Sequence, residues 1–142
     1  LVSEQTEEVK QKNSDLRQYH LNNIYFGFDQ HNIRTSERDK IAALIKMMNE
    51  DPSLSIIVKA HTDSRGDDNY NLALSLRRAK SMQKYLGDKG ISNDRFQIAW
   101  VGERELAVDC TKQPCTAADH GLNRRVEVLF VGTEAPTLGM GE

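Results

Sequence analysis

Residues 59–84, KAHTDSRGDDNYNLALSLRRAKSMQK, change character twice. They complete a β-branched run, Ser55-Ile56-Ile57-Val58-Lys59-Ala60, that suits a central strand. A short polar segment follows, His61-Thr62-Asp63, and Gly66 lets the chain turn there without steric cost. Asp67 or Asp68 can then cap a helix and complement its dipole. Leu72, Leu76, Ala79, Met82 and Leu86 recur near i, i+4, i+7, i+10 and i+14, a core-facing stripe, with Gly87 or Gly90 as its end. Asn71, Leu74 and Arg78 fall on another side at i, i+3 and i+7.

This unit sets an acid, Asp63, at a strand end and a base, Arg78, on the following helix. A carboxylate before a helix N-terminus is either a cap or a ligand for a cation. The planar fork of arginine suits a carboxylate better than lysine would. Together the two charges suit a small zwitterion such as an amino acid. The plainer reading stays open on spacing alone: the two pair with each other or lie solvated.

The same grammar extends outward. Ile24, Phe26 and Phe28 alternate, so they share one face of a strand that Asp29 ends. Thr35 or Ser36 offers an N-cap, and Ile41, Leu44, Ile45 and Met48 make one helical stripe. Pro52 disfavours helix at Asp51, which stops that element near Asn49. Phe96, Ile98 and Trp100 alternate as a third strand, and Val126, Val128 and Phe130 as a fourth. The order β-α-β-α-β-β predicts an α+β two-layer sandwich, with helices on one face of a four-stranded mixed sheet. The other face, with Tyr25, Lys59 and Gln97, is left for solvent or a partner.

The chain of 142 residues is long enough for one domain with a real core, placed here at residues 21–132. Residues 1–20 are polar and carry no apolar stripe, which predicts a linker or a frayed helix; residues 133–142 read as a C-terminal tail. A formal net charge of -2 gives no electrostatic footprint for nucleic acid. No apolar run approaches the length of a membrane span. The sequence contains no signal peptide and position 1 is Leu rather than Met, so the expectation is a piece of a longer protein.

Cys110 and Cys115 lie within the long connection from Gly102 to Leu122, which reads as irregular. A local disulfide is the first reading, and it favours an oxidising compartment. Two free thiols are the plainer alternative. A zinc site with His120 is the sharper one, but it lacks an evident fourth ligand. No metal, cofactor or catalytic residue is nominated. Ser64 and Ser75 lack a Gly-x-Ser-x-Gly context, and His20, His31, His61 and His120 are scattered. Asp29 with Asp63 could be nominated as a carboxylate pair, but Arg78 would hold Asp63 ionised rather than poised as an acid.

Four landmarks stand in order: FD at Phe28-Asp29, HTD-x-x-G at 61–66, N-x-x-L-S-x-x-RA at 71–79, and NRR-V at 123–126. With them, residues 22–131 resemble the OmpA-like peptidoglycan-binding domain, the family of OmpA-type porins, the peptidoglycan-associated lipoprotein and the flagellar stator protein MotB. The resemblance implies non-covalent binding of the peptidoglycan stem peptide through its diaminopimelate. It implies that Asp63 and Arg78 grip the free amino and carboxylate groups, and that Asn71, Leu74, Phe28 and Asp29 line the same groove. It reads Asn123-Arg124-Arg125 as mainly structural. By the same resemblance the domain sits in the periplasm of a Gram-negative cell, at the outer membrane. A periplasmic propeller-type protein partner is the alternative role. Ala60 departs from the glycine common before the HTD motif, and the resemblance does not account for the cysteine loop.

Overall fold

The computed structural model describes residues 6–132. Along the chain these form α1 (Glu7–Gln18), β1 (Asn23–Tyr25), α2 (Thr35–Glu50), β2 (Ser55–Ala60), α3 (Asp68–Asp88), a 3₁₀ turn (Asn93–Arg95), β3 (Phe96–Trp100), α4 (Ala117–Asn123) and β4 (Arg125–Val131). The sheet order is β1-β4-β2-β3. β4 runs antiparallel to both β1 and β2, while β3 lies parallel to β2. The expected α+β sandwich with a four-stranded mixed sheet is the architecture observed.

Pleating explains the core. Ile56, Val58 and Ala60 of β2 share a face with Val126, Val128 and Phe130 of β4, and all are buried. Against them pack Ile41, Leu44 and Met48 from α2 and Ala79, Met82 and Leu86 from α3. The opposite face carries Tyr25, Lys59 and Gln97, as their parity requires. Truncating a fully buried side chain such as Phe130 to alanine costs about 3–5 kcal/mol.

Three local expectations are corrected. The polar N-terminal stretch does pack: Val9 and Leu16 of α1 are each 1% exposed and join the core. Its third buried residue, Asn13, bonds the backbone of Phe130, so a polar position serves as a packing position. Next, α2 begins after Arg34, with no side-chain cap, and Thr35 is already helical. Finally, the Gly102–Leu122 connection contains α4. A capping box, Thr116 with Asp119, nucleates this short helix, which has no apolar stripe to betray it.

Edge strand β1 is short, and its outward backbone is covered from α2. Tyr25 N–H donates to Glu37 Oε1 at 2.9 Å, and Lys40 Nζ pairs with the same oxygen at 2.8 Å. A free strand edge invites unwanted pairing; here a carboxylate closes it.

Candidate functional site

β2 delivers the chain to His61, whose N–H bonds the Arg125 carbonyl at 2.8 Å, and to Thr62, whose N–H bonds the Gly102 carbonyl at 2.8 Å. Gly102 has φ +59°, and a Cβ there would lie 3.1 Å from the backbone nitrogen of Leu72. Only glycine fits this close approach of the loop to α3. The end of β2, the 102 loop and the first turns of α3 therefore meet at one point.

What meets there is largely backbone, which changes the buried face of α3. The stripe expected through Leu72 and Leu76 is shifted: Asn71, Leu74, Ser75 and Arg78 are buried together with Ala79, Met82 and Leu86. Leu72 and Leu76 are half-buried. Facing carbonyls and amides instead of apolar chains, the first half of the helix buries polar side chains that can bond them. Asn71 Nδ2 donates to the carbonyl of Arg65 at 3.0 Å and to Glu103 Oε1 at 2.8 Å. Ser75 Oγ accepts from Gly102 N–H at 2.9 Å.

Arg78 is wholly buried. Its guanidinium donates to three carbonyls: Gln30 at 2.8 Å, His61 at 2.9 Å and Gly27 at 3.2 Å. The ring of Phe26 lies beneath it, 5.2 Å from centroid to guanidinium carbon. Burial pulls its pKa down to about 10, the charge of Asp63 opposing that shift and the charge of Arg124 adding to it. The group stays cationic at neutral pH. Neutral acceptors hold it in place, so its charge is not cancelled by its own hydrogen bonds.

Asp63 is buried too, with both carboxylate oxygens occupied. Arg65 donates from Nη2 to Oδ2 at 2.9 Å, from Nε to Oδ1 at 3.3 Å and from its backbone N–H to Oδ1 at 3.0 Å. Arg124 Nη1 reaches Oδ2 at 3.5 Å. Burial alone would raise the carboxyl, but the hydrogen bonds and charge of Arg65, with Arg124, hold it below the ordinary aspartate range. The sequence left open a direct pairing of Asp63 with Arg78. Instead the ion-pair partners of Asp63 are Arg65 and Arg124, and Arg78 binds backbone.

Phe28 departs from its expected place on the strand's core face. β1 ends at Tyr25, Phe26 is buried, and Phe28 is 59% exposed. Gly27 leaves the sheet with its carbonyl on Arg78, and Asp29 adopts φ +57°. The chain turns, and Phe28 becomes a wall. The guanidinium of Arg65 lies 4.5 Å from its ring centroid. Asp29 accepts a hydrogen bond from the Tyr70 hydroxyl, which raises the tyrosine pKa.

All six nominated positions, Asp63, Arg78, Asn71, Leu74, Phe28 and Asp29, line one cleft of about 220 Å³. Arg65, Gly66 and Tyr70 complete it, and Arg124 lies behind it on Asp63. Sequence reasoning passed over Arg65 and Tyr70. The signal for Arg65 was present, since a residue two places after an aspartate can close an Asx turn. Tyr70 meets Asp29 only through the tertiary fold, and no local pattern marks it.

Cys110 and Cys115 are joined, S–S 2.02 Å, so the two sulfurs serve each other. Asn123 holds this loop like a strand neighbour: it accepts from Val108 N–H at 2.9 Å and donates to the Val108 carbonyl at 3.0 Å. The NRR landmark thus divides its labour. Asn123 fixes the disulfide loop, and Arg124 donates to the Phe26 carbonyl at 3.0 Å while reaching Asp63. Arg125 pairs with Glu127 at 2.7 Å.

The OmpA family model matches residues 25–118, which run from the last residue of β1 through α2, β2, α3 and β3 and include every residue that lines the cleft. The peptidoglycan-associated lipoprotein of Pasteurella multocida is 36% identical over 94 residues, 66% of this chain and 62% of that protein; the match thus spans about three fifths of the relative. In fold, the chain resembles the crystal structure of the peptidoglycan-associated lipoprotein from Burkholderia pseudomallei, with a TM-score of 0.70, 22% identity and coverage of 77% and 89% of the two chains. It also resembles the C-terminal domain of Helicobacter pylori MotB, with a TM-score of 0.66, 18% identity and coverage of 76% and 82%. From the cleft landmarks, the sheet order and these matches, one conclusion follows: the chain belongs to the OmpA family.

Proposed function

We propose that this chain is a non-covalent peptidoglycan-binding module that anchors its parent protein to the cell wall, at the periplasmic face of a Gram-negative outer membrane. The cleft grips the zwitterionic end of diaminopimelate in the stem peptide. The observation that carries this reading is the pairing of two fixed, opposite charges in one small cleft. Arg78 is a buried cation held by neutral carbonyls, and Asp63 is an ionised carboxylate. The walls between them, Phe28 and Leu74, suit the methylene chain of the ligand. Kinship with proteins called peptidoglycan-associated lipoproteins supports the same reading.

The charges suit binding rather than acid catalysis, since Asp63 is held ionised by its arginine partners. A ligand with both an ammonium and a carboxylate satisfies both poles. One with the ammonium alone leaves a pole unpaired, the usual origin of selectivity between close analogues.

Calorimetric titration with a stem tripeptide carrying diaminopimelate tests this, run beside the lysine tripeptide, Asp63→Asn and Arg78→Lys. Saturable binding to the native protein, weakened about tenfold or more by lysine and by Asp63→Asn, is expected. A native protein that binds neither peptide, or a D63N protein that binds as well as the native one, would sink the reading.

A further inference from the structure

Arg65 occupies the carboxylate of Asp63, the group that the proposed function pairs with a ligand's ammonium. Its guanidinium covers both oxygens of Asp63, whose side chain is 6% exposed, while the Arg65 side chain is itself 43% exposed. Its outer face lies on Phe28, the apolar wall. Asp63 lines the cleft, and Arg65 holds both of its carboxylate oxygens there.

The three arginines near Asp63 are not equally fixed. Arg78 is bound by three carbonyls and Arg124 by the Phe26 carbonyl. Among the described residues, the side-chain partners of Arg65 are Asp63 and Phe28, both in the cleft. The Arg65 backbone, by contrast, is tied down: its N–H bonds Asp63 Oδ1 at 3.0 Å and its carbonyl accepts from Asn71 at 3.0 Å. A long, partly exposed side chain on a pinned backbone can swing without moving the loop.

We propose that Arg65 is the specificity-determining residue of the cleft, a resident counter-ion that the ligand's ammonium displaces from Asp63 and that then pairs with the ligand's adjoining carboxylate. The proposal rests on the reading of the cleft as a diaminopimelate site and says how that site discriminates. A ligand with both groups exchanges one ion pair for two. A ligand with the ammonium alone breaks the Arg65–Asp63 pair and leaves Arg65 unpaired in a cleft that already carries the buried cation Arg78. Selectivity then comes from a penalty on the wrong ligand as well as from a contact with the right one.

Amidation of the diaminopimelate carboxylate provides the sharp probe, because it removes the charge and keeps the size and the ammonium. The full chain and its Arg65→Gln and Arg65→Lys variants are titrated with the stem tripeptide in its free-acid and amidated forms. The native protein is expected to prefer the free acid by about tenfold or more, and R65Q to bind the two forms within about threefold of each other. R65Q should hold or gain affinity for the amide while losing affinity for the acid. R65K keeps the charge without the fork and should retain part of the preference. An R65Q protein that keeps the native preference overturns the proposal, since the carboxylate would then be read by Arg78 alone. Absence of binding by the native protein overturns the reading of the cleft itself, and the proposal with it.

Discussion

The side-chain amide of Asn13 stands in for a strand at the edge of β4: Oδ1 accepts the Phe130 N–H at 2.7 Å and Nδ2 donates to the Phe130 carbonyl at 3.0 Å. β1 reaches only as far as Asn23, opposite Glu127, so the end of β4 would otherwise keep unpaired backbone groups. A helix that looked like a polar linker therefore finishes the sheet.

Replacing Asn13 by alanine removes both bonds and orphans a buried donor and a buried acceptor. The expected loss is about 2–3 kcal/mol of unfolding free energy, read from urea denaturation. A loss below about 0.5 kcal/mol would show that water replaces the amide.

Acid should destabilise the domain through Glu127. The His61 imidazole, with Nε2 3.1 Å from Glu127 Oε1, is the main cause that lowers the Glu127 pKa to about 2; burial opposes the shift, and Arg125 adds to it. A carboxylate depressed in the folded state stabilises above its unfolded pKa, and that contribution is lost as pH falls through the folded value. The window therefore runs from about pH 4.5 down to about pH 2. Because the side chain is 42% exposed, solvent screening leaves only about 1 kcal/mol. Acid titrations of stability should be shallower in Glu127→Gln than in the native chain across that window. Identical slopes would mean that the network contributes nothing.

Opening the Cys110–Cys115 bridge frees a short ring, with a sequence separation of 5. The loss should be about 2 kcal/mol for Cys110→Ser with Cys115→Ser, measured by thermal or chemical unfolding. The cleft should survive, because Asn123 still holds Val108 and the cleft side chains come from the loops after β1 and β2 and from α3. Faster hydrogen exchange at Val108 N–H, with stem-peptide affinity unchanged, is the expected pair of readouts. A parallel loss of affinity would show that the loop supports the cleft.

Much of this protein is legible in its sequence. Three alternating runs and one β-branched run placed four strands, two stripes placed α2 and α3, and three short landmarks picked out six residues that the fold brings to one cleft. These readings succeed because periodicity records which side chains lie against apolar neighbours, a relation local to each element. Tertiary structure alone decided the rest. It inserted β4 between β1 and β2, turned Phe28 from core to cleft wall, packed α1 through an asparagine, and gave Asp63 its partners Arg65 and Arg124 in place of Arg78. The shared reason lies in what these residues face. Arg78, Asn71, Ser75 and Asn13 are buried against backbone carbonyls and amides, so burial there demands polar side chains, which in a bare sequence look like surface.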